Sequence, residues 1–174
     1  MESCSECGNR AVAARQYDGH SVLECELCGA LAGSPGAVRA VLDARAARER
    51  GVDPAAFPLV RVLGDLRGLR IDAHGGGDRG QGVLPFVAFQ LVDAGGLLQL
   101  ENLGKSLQLA VRTSELDWTI ELEPGPALTF ALRPRLPAPA TAQAVAAAQQ
   151  DLATLARAIE RDSRLSWWRH PASG

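Results

Sequence analysis

Lysine is almost missing from this chain: Lys105 stands alone, and the other seventeen of its 18 basic residues are arginine. Beside the abundant alanine and glycine, that bias reads as GC-rich coding rather than as a surface built for nucleic acid. Nor do the arginines gather. Residues 1–33 carry Glu2, Glu6, Asp18, Glu24 and Glu26 against Arg10 and Arg15, a net charge of −3, and no later segment is a basic block. Phosphate backbones are gripped by clustered cations through counterion release, so nucleic acid is not an expected partner. Long apolar runs are lacking too: Gly, Arg, Asp or Gln interrupts each one well short of the ~18 residues of a membrane span. The opening MESCSEC is polar and acidic, unlike a secretory leader, which makes a cytoplasmic location the expectation. His20, His74 and His170 are the only histidines, and none lies in a motif beside a nucleophile. With no nucleophile–base–orienter set in view, the chain reads as non-catalytic.

Cysteine is absent after residue 28, and all four lie within the first 28 residues in two matched pairs, Cys4/Cys7 and Cys25/Cys28. A tetrahedral Zn²⁺ takes four thiolates at about 2.3 Å, and two short CxxC loops supply two each. Gly8 and Gly29 follow the second cysteine of each pair, where a chain wrapped around a metal needs the positive φ that glycine adopts freely. Between the pairs, AVAARQY and HSVLE flank Asp18-Gly19, the signature of a two-residue hairpin turn. The CSECG and CELCG segments, with that hairpin between them, resemble the knuckles of the zinc ribbon fold group over residues 1–33 and no further. The resemblance implies a structural Zn²⁺ on Cys4, Cys7, Cys25 and Cys28. Its rivals are weaker on these residues. A redox CxxC belongs between a strand and a helix, paired disulfides belong to small secreted domains, and a rubredoxin-like iron site is packed by aromatic residues that this segment lacks. His20 falls at the hairpin turn and reads as a solvated residue rather than a fifth ligand.

Beyond the ribbon, Ser34-Pro35 is a capped helix start, and the helix runs to a stop at Gly51. A second helix is expected over about 58–67, and LRIDA at 69–73 as a strand. HGGGDRGQG, residues 74–82, reads as a flexible connection. Its Gly75-x-Gly77-x-x-Gly80 matches the dinucleotide fingerprint formally, but the fingerprint needs a helix next, and VLPFVAFQLV reads as a strand. LLQLEN, SLQLAVRT, DWTIELE and ALTFALR are taken as further strands, on period-two patterning between turn-forming residues. In DWTIELE, Trp118, Ile120 and Leu122 oppose Thr119, Glu121 and Glu123. After the proline-rich link 134–141, Thr141 caps a long helix whose Val145, Ala148, Leu152, Leu155, Ala156 and Ile159 form one stripe. That stripe fits either a lid on the sheet or a homodimer seam through the C-terminal helix.

The expected fold class is α+β: a zinc ribbon at 1–33, a connecting helix at 34–55, and an antiparallel meander of five to six strands packed by helices at 56–174. Trp167, Trp168 and Arg169 have the composition of a partner-binding hot spot, or of a plug on the domain's own core. The function expected is a protein–protein interaction adaptor or assembly factor. A nucleic-acid-associated regulator and a small-ligand binder are the alternatives.

Overall fold

The cysteine-bearing segment closes a small antiparallel sheet in the computed structural model, which describes residues 3–17, 19–110, 112–125, 127–165 and 168. Strands β1 (Val12–Tyr17) and β2 (His20–Cys25) form a hairpin in register from Val12↔Cys25 to Tyr17↔His20, with β3 (Leu31–Ala32) on the other side of β2. Only two residues separate the paired Tyr17 and His20, as the Asp-Gly signal requires; Gly19 has φ +83°, and Asp18 lies outside the described residues. Helix α1 (Pro35–Arg50) starts where Ser34 Oγ accepts the Ala37 N–H, and ends at Gly51 in the left-handed region at φ +66°. It belongs to the same compact unit as the sheet, residues 1–51. Ala37 and Val41 of α1 bury against Val22, with Tyr17, Leu31 and Val38 around them. Arg45 of α1 donates to Glu24 Oε1 at 2.7 Å and to the Tyr17 hydroxyl at 3.1 Å. The helix therefore packs on one face of the three-stranded sheet through an apolar spot and a polar clamp.

Residues 52–174 form the second compact unit, an α+β arrangement. Its four-stranded antiparallel sheet contains β4 (Leu69–Gly75), β5 (Phe86–Leu91), β6 (Trp118–Glu123) and β7 (Thr129–Pro134), in the order β4-β5-β7-β6. Helices α2 (Phe57–Gly64), α3 (Ala94–Ala110) and α4 (Ala142–Asp162) contribute to one core with it. Thr141 caps α4 as expected, its Oγ1 accepting the Ala144 N–H. All six residues of the α4 stripe are buried: Val145, Ala148, Leu152 and Ile159 at 0%, Leu155 at 1% and Ala156 at 2% exposure. At ~1.5–3 kcal/mol per large buried side chain, this face is a principal source of the unit's stability. It is spent inside the chain, so it is not a free seam for a second copy.

One stretch departs from the expected strands. Residues 97–110 are helical within α3, so the sheet has four strands and is not a simple meander. Asp93-Ala-Gly-Gly, which follows the VLPFVAFQLV segment, is the helix start, with Asp93 Oδ1 accepting the Gly96 N–H. The alternation of Leu107 with Leu109 also misleads: Leu103, Leu107 and Ala110 are buried at helical spacing, while Leu97 and Leu109 point outward at 58% and 54% exposure. Val111 lies outside the described residues. Because a helix spans from β5 to β6, the chain crosses to the far edge of the sheet, and β7 returns to fill the gap.

The glycine-rich segment is more closely held than a flexible connection. Asp78 and Val83 exchange backbone hydrogen bonds at 2.9 Å, the Gln149 amide on α4 donates to Gly76 O, and Ala140 N donates to Gly82 O. A Cβ at Gly82 would lie 2.5 Å from that Ala140 neighbour's carbonyl oxygen, so glycine allows the close approach here.

Candidate metal centre

Each CxxC forms the same backbone loop. Cys4 N donates to Asn9 O at 2.8 Å and Gly8 N to Cys4 O at 2.9 Å; Cys25 N donates to Ala30 O at 2.9 Å and Gly29 N to Cys25 O at 2.8 Å. Gly8 and Gly29 share φ +71°, the conformation that lets the chain turn back so tightly. The hairpin then sets the second knuckle against the first, and Glu26 N donates to Ala11 O at the strand base. All four Sγ atoms lie within 4.8 Å of one another.

The spacing suits a shared ion. Cys4 Sγ is 3.6 Å from Cys28 Sγ, and Cys7 Sγ is 3.6 Å from Cys25 Sγ. Tetrahedral ligation at about 2.3 Å puts sulfurs ~3.8 Å apart, whereas a disulfide needs about 2.05 Å. All four cysteines are free, so neither pair is closed as a CxxC disulfide. Cys25 is buried, Cys4 half-buried, and Cys7 and Cys28 are exposed.

Electrostatics differ between the thiols. The backbone N–H of Cys28 draws the Cys25 thiol down to about 7, against the opposing effect of burial and with help from the Leu27 N–H. At Cys28 the Ala30 N–H pulls downward, but the neighbouring Cys7 and Cys25 sulfurs and burial outweigh it and push the thiol up to about 12. Cys7 is likewise raised: the Asn9 N–H and the Cys28 contact lower it, and burial with Cys25 and Cys4 overcomes them. Four crowded sulfurs cannot all shed protons beside one another without a compensating cation. The same backbone donors that favour Cys25 as a thiolate are placed to steady sulfurs already bound to a metal.

The arrangement defines a four-thiolate ligand set that can hold one metal ion. No family model, curated protein or solved structure matches the chain.

The other sequence-derived candidates are His20 and the residues around Trp168. His20 is an exposed partner of Tyr17 at the hairpin end of β2, outside the cysteine cluster. Trp168 is 4% exposed and belongs to the core of residues 52–174, with its carbonyl accepting the Asn102 amide. It fills the plug role rather than a surface hot spot; Trp167 and Arg169 lie outside the described residues. Sequence reasoning passed over Asp151. It is 2% exposed on the buried face of α4, and its carboxylate accepts the N–H groups of Glu115 and Leu116 and the Trp118 indole. An acid placed three residues after Ala148 and four before Leu155, within an apolar stripe, was the available signal.

Proposed function

We propose that residues 1–33 form a zinc ribbon with a structural Zn²⁺ on Cys4, Cys7, Cys25 and Cys28, and that the protein is a non-catalytic protein–protein interaction adaptor or assembly factor. The observation carrying the metal reading is the meeting of two like knuckles with their sulfurs at near-tetrahedral spacing. Four thiolates complete a tetrahedral shell and leave no coordination position for a reacting water. Such an ion stabilises a fold and presents a surface. Around it, Leu27 at the tip of the second knuckle is 71% exposed. An apolar cleft of about 470 Å³ is lined by Val12, Leu23, Ala30 and Ala32 beside Cys4 and Cys25. Exposed apolar surface within an acidic segment supports a protein partner over a phosphate backbone.

The test is purification of the chain, tagged at its C-terminus to spare Cys4, with and without nuclease, alongside elemental analysis. One zinc per chain and a defined protein surviving nuclease and high salt are expected. Iron in place of zinc would overturn the cofactor. Nucleic acid that leaves as salt rises would overturn the adaptor reading in favour of a regulator.

A further inference from the structure

We infer that the free edge of β6 is a docking site for an extended segment that alternates basic with apolar residues and adds to the sheet as a fifth strand. The order β4-β5-β7-β6 leaves two edges, and they differ. The β4 edge is interrupted by an irregularity between Ile71 and Ala73, the kind of feature that blocks pairing with another chain. The β6 edge runs in unbroken register from Trp118↔Pro134 to Glu123↔Thr129.

Its backbone polarity follows from one bond. Arg135 N donates to Asp117 O at 2.7 Å, so residues 117, 119, 121 and 123 bond toward β7, and 118, 120 and 122 turn N–H and C=O outward. Pro134, which has no N–H to give, sits opposite Trp118 at a position where none is needed. Among the described residues no backbone group bonds to Ile120 or Leu122 on that outer side.

The two faces of β6 specify the occupant. On the helix side, Leu122 is 62% exposed, continuing the half-buried Ile120 and Phe130 that border the core. On the other face, Glu121 and Glu123 share a single guanidinium, that of Arg133. An incoming strand would therefore place apolar side chains beside Ile120 and Leu122, and Lys or Arg beside Glu121 and Glu123. A second copy fits less well. Antiparallel self-pairing about Ile120 would set Glu123 against the other copy's Asp117, and like charges directly opposed are destabilising.

This inference rests on the adaptor reading and names where the partner is held. The probe is a short capped peptide alternating lysine with valine, tested on the full chain by amide hydrogen exchange. Slowing of the Ile120 and Leu122 amides by ~10-fold or more is expected. A glutamate–valine peptide and a version N-methylated on its pairing edge should both leave those amides unchanged. Ile120→Pro removes the outward N–H, together with a side chain that borders the core, and should abolish binding; should that variant fail to fold, the N-methylated peptide carries the same test. Equal binding of the acidic peptide, no slowing by the basic one, or concentration-dependent slowing in the protein alone (a second copy on the edge) would each overturn the inference. A nuclease-resistant partner recovered from cells despite an unprotected β6 would sink this site alone; recovery of no protein would sink the adaptor reading.

Discussion

Two carboxylates show how much a single side chain organises here. Glu24 receives both the Tyr17 hydroxyl and the Arg45 guanidinium, which hold its carboxyl below the usual range and clamp α1 to the three-stranded sheet. Asp151 gathers three donors from the segment leading into β6. A carboxylate on a buried helix face is costly unless fully bonded, and this one is bonded by groups that would otherwise be orphaned together. Replacing it with alanine leaves those donors unmatched, at ~1–3 kcal/mol for a buried one. Asp151→Ala should therefore lower unfolding stability by roughly 2–4 kcal/mol, read as a reduced urea midpoint, with altered Trp118 emission. A change within about 0.5 kcal/mol, the range of ordinary surface substitutions, would show that the three bonds are replaced by water. The acid could be placed on the stripe from spacing alone, but its partners lie more than thirty residues away and no local pattern names them.

At the scale of elements, caps and turns were the most legible features. Ser34, Gly51 and Thr141 act where their side chains or backbone freedom predict, because each satisfies groups within a few residues of itself. Helix α3 was the least legible. Its leucines at 97, 98, 100, 103, 107 and 109 satisfy period two over short windows, and Gly95, Gly96 and Gly104 resemble turn markers. Burial, which separates Leu103 and Leu107 from Leu97 and Leu109, decides for the helix. Gly104 remains a local weakness: a Cβ there would meet nothing within 4 Å and its φ is not positive. Gly104→Ala should raise stability by ~0.5–1 kcal/mol through helix propensity and a less flexible unfolded chain. A lowered melting temperature in that variant would mean that residue 104 is not in an open helical position.

The whole molecule comprises two compact units with different sources of stability. Residues 52–174 have a continuous apolar core centred on Leu59, Leu63, Phe89, Leu103, Leu132, Leu152 and Ile159. Among the described residues of 1–51 the apolar cluster is small, Val22, Ala37 and Val41 with three flanking side chains, too little to hold a domain of that size without added constraint. Structural zinc contributes ~10–16 kcal/mol to the folding of comparable small domains. Cys25→Ser should thus lose metal and collapse the amide spectrum of residues 1–51, while signals from 52–174 persist. Full metal retention would defeat the four-cysteine assignment; joint loss of both sets of signals would show that the units fold as one.

The sequence by itself determined the four-cysteine cluster, the hairpin between its halves, the capped helices and the apolar face of α4. All of these rest on contacts between near neighbours or on a periodicity sustained over many turns. Tertiary structure decided the identity of α3, the β4-β5-β7-β6 order, the burial of Trp168 and the gathering of donors on Asp151. Those depend on which distant surfaces meet, and an apolar side chain looks the same in sequence whether it fills a core, lines an edge or waits for a partner.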